Sequence, residues 1–169
     1  TLKPLARAGA DYALDEANAD AIKNKAEAII AGEGPVREDY VVSRLGEIYS
    51  VPPTTKKARA RLIDLVRSLS QFARTIDDET WYALSDPVVF RPLDEKYDRD
   101  ISDVCPRELA VAVRCAVEQN GSLDRAGLVK AVSALMNCPR RTPKVVAAIG
   151  RALELAVSEG LVIPTVEGN

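Results

Sequence analysis

The chain contains no histidine. That removes the Ser-His-Asp and Cys-His constellations, the common zinc sites and the usual general base near neutral pH. Cysteine is scarce as well. Cys105, Cys115 and Cys138 are odd in number and widely spaced, which fits neither a disulfide framework nor a zinc cluster and points to a reducing cytoplasmic setting. No apolar run approaches the roughly 18 residues a membrane span needs, and no signal peptide is visible. No glycine is followed by lysine, so the phosphate-cradling P-loop is missing, and G-x-G-x-x-G and G-x-S-x-G are missing with it. An initiating methionine is also lacking: the first residue is Thr1, which predicts that the chain is a piece of something longer.

What is present suits a folded protein. Of 169 residues, 47% are apolar and 28% charged, enough to bury a core in one ordinary domain or two small ones. The net charge of −2 excludes a uniformly basic coat for nucleic acid but leaves room for a local basic face.

An internal repeat organises the sequence. At an offset of 87, the segment Gly34–Leu69 overlays Gly121–Ala156 without a gap. Identities are few: Gly34/Gly121, Val42/Val129, Pro52/Pro139, Thr55/Thr142, Lys57/Lys144 and Ala60/Ala147. The apolar pattern carries more weight. Val36, Val41, Leu45, Ile48, Leu62, Leu65, Val66 and Leu69 fall on Leu123, Leu128, Val132, Leu135, Ile149, Ala152, Leu153 and Ala156, and Ile22, Ala26 and Ile30 fall on Leu109, Val113 and Val117. The alternative is a chance coincidence of two amphipathic helix pairs.

Each copy reads as three helices. The first carries Ile22, Ala26, Ile29 and Ile30, and a turn follows at Gly32-Glu33-Gly34-Pro35 or Asn120-Gly121-Ser122. The second runs roughly from Glu38 to Tyr49. The third starts at the aligned threonines, where Thr142 and Pro143 make a good cap and first-turn pair. Ala58, Leu62, Leu65, Val66 and Leu69 form its buried stripe. Arg74-Thr75-Ile76 and Thr80-Trp81-Tyr82 then read as a small hairpin around Asp77-Asp78-Glu79, with Leu161-Val162-Ile163 as the weaker counterpart in the second copy. Three helices, the last two as a helix-turn-helix, followed by a hairpin describe a winged helix. The expected fold is therefore mainly α with small β-hairpins, as tandem winged-helix repeats. The expected boundaries are an extension over 1–20 (an extra helix or a frayed end), a first unit over 21–90, a connector over 91–104 (solvated or ordered against the units) and a second unit over 105–169.

A family resemblance attaches to these residues. Ile29-Ile30-Ala31-Gly32-Glu33-Gly34-Pro35-Val36, the stretch 53–69, Trp81, Arg91 and the run 100–110, with Glu108-Leu109-Ala110 opening the second unit, resemble a small bacterial domain of unknown function. That domain lies near the C-terminal end of large superfamily-one helicase-like proteins. The resemblance spans most of 22–163. At Pro53-Thr54-Thr55-Lys56 this chain departs from the glycine and arginine usual in the family. The resemblance implies an accessory module of a larger helicase-like protein and no catalytic residue within this stretch.

Little else in the sequence suggests chemistry. The acidic groups Asp11, Asp15 and Glu16, or Asp94, Glu95 and Asp98, read as solvated charge runs rather than a metal or acid–base site, and the three cysteines read as small packing residues. No enzyme activity, metal or cofactor is expected. Trp81 reads as packing between hairpin and core rather than as a platform for bases. The functional signal is a basic cluster: between Thr54 and Arg74 lie six cations and one anion, Asp64. Thr55, Lys56, Lys57, Arg59, Arg61, Arg67 and Arg74 are the candidate nucleic-acid contacts of the first copy, with Arg140, Arg141, Thr142 and Lys144 as weaker equivalents in the second. The helix start behind Thr55 offers free N–H groups to a phosphate. An acidic protein surface, or plain solvation of a helix face, would suit the same cations. The expected function is thus non-catalytic binding of DNA or another nucleic acid, mainly through phosphates. The alternative is a protein-interaction or intramolecular module without nucleic-acid contact.

Overall fold

Apolar residues at helical spacing bury one face of each long helix, and two separate cores result. The computed structural model describes residues 9–76, 78–93 and 100–164. The chain divides into two compact units, 1–85 and 86–169. The expectations placed on residues 1–8, on Asp77, on Asp94, Glu95 and Asp98, and on 165–169 lie outside the described residues.

The first unit runs α1 (Gly9–Leu14), α2 (Ala19–Glu33), β1 (Val36–Arg37), α3 (Glu38–Ile48), α4 (Lys56–Arg67), β2 (Ala73–Ile76) and β3 (Glu79–Tyr82). Its core joins Ile22, Ala26 and Ile30 of α2, Val41 and Leu45 of α3, and Leu62, Leu65 and Val66 of α4. Each larger side chain here contributes about 1.5–3 kcal/mol by leaving water. Leu69, just beyond α4, completes the stripe read from the sequence. Ala13 and Ala19 join the same core, so the described part of the expected extension is an integral helix with the turn after it. The strands form an antiparallel sheet in the order β1-β3-β2. Trp81 stands opposite Arg37 on one side and Arg74 on the other. Its ring is buried, and the Arg37 guanidinium lies over it at 5.3 Å, a favourable cation–π geometry.

The turn between α2 and β1 depends on a glycine. A Cβ at Gly34 would sit 2.4 Å from the Ile30 carbonyl oxygen and 3.1 Å from that of Tyr82. Both neighbours are backbone, so neither can yield cheaply. The aligned Gly121 serves a different need, with open space around it and a φ of +73° that side-chain-bearing residues resist.

The second unit runs α5 (Pro106–Asn120), α6 (Arg125–Leu135) and α7 (Pro143–Ser158). Both ends of α5 and α6 fall 87 positions after the ends of α2 and α3, and α7 starts 87 after α4. The turns repeat too. Ser50 and Asn137 take φ values of 55° and 54°. The next N–H then donates to the carbonyl five residues earlier, Val51 to Gly46 and Cys138 to Ser133, at 2.8 Å in each case. The connections from α3 to α4 and from α6 to α7 therefore begin with the same turn geometry.

The units differ where the sheet should be. Among its described residues the second unit has no strand. The N–H groups of Leu161 and Val162 both donate to the Ala156 carbonyl, so the segment read as a hairpin strand folds back onto the end of α7. The position matching Arg37 of β1 is Asp124, whose carboxylate caps α6 by accepting the Gly127 N–H at 2.7 Å. That aspartate starts a helix rather than continuing a strand.

The described part of the connector is ordered against the second unit. Ile101 and Val104 are buried in the second core, with Phe90 and Leu93 packed against it, so the described part of 86–104 belongs to that unit. Arg91 fixes this lead-in segment. Its Nε and Nη2 donate to the two oxygens of Glu108 at 3.1 and 3.0 Å, and its backbone N–H adds a third bond at 2.9 Å. Glu108 is fully buried, and its charge depends on that pairing.

Candidate nucleic-acid interface

The turn after α3 and the prolines Pro52 and Pro53 deliver the chain to the start of α4, where the basic cluster begins. Thr55 occupies the cap position, but its side chain makes no capping hydrogen bond. No acidic residue lies in the first turn. The N–H groups of Lys57 and Ala58, which have no partner within a helix, are thus left uncapped by side chains. Lys56 and Lys57 are exposed and Arg59 is half-buried. Among the described residues these three have no ion-pair partner, and the positive end of the helix dipole adds to their field.

The other cations of the cluster are engaged. Arg61 pairs with Glu16. Arg67 holds Glu38 with two bonds, Nε to Oε2 at 2.8 Å and Nη2 to Oε1 at 3.1 Å. Arg74 turns its Nη1 onto the carbonyls of Gln71 and Ala73 at 3.0 and 2.9 Å. The six cations counted in sequence therefore separate into three available ones at the helix start and three satisfied within the unit. The carboxylates responsible, Glu16 and Glu38, lie 45 and 29 residues from their partners, a separation no local reading of charge can bridge.

The corresponding helix start in the second unit is closed. Thr142 accepts the Val145 N–H at 3.4 Å, and Pro143 follows it. Lys144 reaches Asp100 at 2.7 Å. The ammonium of Lys144, helped by the backbone N–H and hydroxyl of Ser102, lowers the Asp100 carboxyl to about 2. Arg140 and Arg141 remain exposed.

Arg125 at the first position of α6 was not singled out by its sequence context. It extends toward α7, where a Cβ on Gly150 would lie 3.3 Å from its Nη2. The sequence did carry a signal, the glycine inside a helix that is otherwise well patterned.

Chemistry of other kinds finds little support. Cys105 is buried, and that burial pushes its thiol up to about 11. Cys138 is raised as well, by burial and then by Asp100. Both shifts disfavour the reactive thiolate. Cys115 and Cys138, read as packing residues, are half-buried rather than enclosed. Among the described residues no group of three or more Cys, Asp or Glu side chains is placed to hold a metal ion, and no helix is long and apolar enough to cross a membrane.

No protein-family model matches the chain, and neither a curated protein nor a solved structure matches it at a significant level.

Proposed function

We propose that the chain is a non-catalytic tandem winged-helix module that binds nucleic acid through the start of α4, mainly by phosphate contacts, as an accessory part of a larger helicase-like protein. In this reading α3 and α4 form the helix-turn-helix and β2–β3 the wing. The second unit repeats the three-helix scaffold, with no wing among its described residues. One observation supports the reading above the rest: Lys56, Lys57 and Arg59 surround a helix N-terminus that no side chain caps. Phosphate oxygens would meet two kinds of donor there, the backbone N–H groups and flexible cations. In the second unit the capped α7 and the Lys144–Asp100 pair leave a weaker version of that surface.

The test is titration of the whole chain into a fluorescent DNA duplex at low salt. Tight binding by the natural chain and weaker binding by the Lys56→Ala/Lys57→Ala variant support the reading. Absence of binding to duplex and single strands alike overturns it.

A further inference from the structure

The second unit carries an open groove between α6 and α7 whose lining shares only Arg141 with the candidate nucleic-acid contacts. Its lining combines the apolar Ala126, Val129, Pro139 and Val146 with the guanidinium side chains Arg125 and Arg141. It continues along α7 past Gly150 to Arg151 and Glu154. Among the described residues neither Arg125 nor Arg141 has a carboxylate partner.

We propose that this groove binds a peptide segment of a protein partner in which acidic and apolar residues are interleaved. The two halves of the lining require the two halves of that description. A guanidinium beside apolar side chains holds a carboxylate through two parallel N–H bonds, which strengthen as water leaves. Those apolar side chains gain only if the partner covers them with one of its own. Nucleic acid fits less well. No aromatic side chain in the lining offers a base a stacking surface, and Glu154 at the far end repels a continuous line of phosphates.

Gly150 is a positioning residue in this arrangement. Glycine inside a helix is unfavourable relative to alanine, and here its hydrogen leaves the space that the Arg125 guanidinium occupies beside α7. A methyl group would move that guanidinium by a few tenths of an ångström. The glycine thus weakens the helix and leaves the Arg125 guanidinium room to lie against α7.

The probe is a short fluorescent peptide in which Asp and Leu alternate, titrated into the full chain at low salt. Two control peptides replace Leu by Gly or Asp by Lys. The alternating peptide is expected to bind and both controls to bind about tenfold or more weakly. Arg125→Ala/Arg141→Ala should weaken the alternating peptide at least about tenfold while circular dichroism stays unchanged. Gly150→Ala should weaken binding while raising the melting temperature, a combination that structural damage does not produce. If the double variant fails to fold, the glycine variant alone decides. The proposal is overturned if the alternating peptide does not bind, if the Gly control binds equally well, or if Gly150→Ala leaves binding unchanged. It is also overturned if the double variant loses a single-stranded oligonucleotide that competes with the peptide, since the groove is then a nucleic-acid site.

Discussion

The salt dependence of DNA binding gives a number that the structure itself sets. Each phosphate neutralised by a protein cation releases condensed counterions, so log affinity falls with log salt at about −0.9 per contact on duplex DNA. Six sequence-level cations would give a slope of about −5. Of these six, Lys56, Lys57 and Arg59 have no side-chain or carbonyl partner among the described residues, whereas Arg61 and Arg67 are held by Glu16 and Glu38 and Arg74 by the carbonyls of Gln71 and Ala73. The expected slope is therefore about −2.7, a loss of roughly 40-fold in affinity between about 50 and about 200 mM salt. The Lys56→Ala/Lys57→Ala variant should retain a slope of about −0.9. Arg67→Ala should leave it unchanged, because that guanidinium already serves Glu38. Fluorescence anisotropy at four or more salt concentrations measures all three proteins. A slope near −5 in the natural chain would refute the division of the cluster, since Arg61, Arg67 and Arg74 would then have left their partners. A lysine variant with the slope of the natural chain would refute the placement of the site at α4.

Three further outcomes test the structure. Glu108→Ala strands Arg91 and empties a fully buried site; urea unfolding should show a loss of about 3 kcal/mol, and Arg91→Ala combined with it should cost clearly less than the sum of the single changes. Gly34→Ala, with backbone oxygens 2.4 and 3.1 Å from the new Cβ, should lower stability by roughly 1–3 kcal/mol; an unchanged melting temperature would show that the α2–β1 turn is misdescribed. Lys144→Ala should raise the Asp100 carboxyl from about 2 toward its ordinary 3.8, read by NMR titration of the carboxyl carbon. Because the folded-state value is depressed, this pairing stabilises above the unfolded value and is lost as pH falls from about 4 to about 2. Asp100 is half exposed, so solvent holds the effect below about 1 kcal/mol.

The helices, the repeat and the spacing between α3 and α4 were legible in the sequence because they rest on local periodicity. Leu62, Leu65 and Val66 mark the buried side of α4 whatever the rest of the chain does, and a gapless offset of 87 places every major helix of one unit on its counterpart. Local pattern said less about the sheet. β1 is two residues long, and only pairing with β3 makes it a strand, while Leu161 and Val162 have strand-forming side chains but give their N–H groups to Ala156. The identity of Gly34 and Gly121 was readable and its reason was not, since one avoids two carbonyls and the other permits a positive φ. For the candidate site, sequence determined which cations exist and that they gather around the start of α4. Tertiary structure alone decided which of them stay available. Charge pairing is settled by proximity in space, and Glu16, Glu38 and Asp100 reach Arg61, Arg67 and Lys144 only after the core has brought distant segments together.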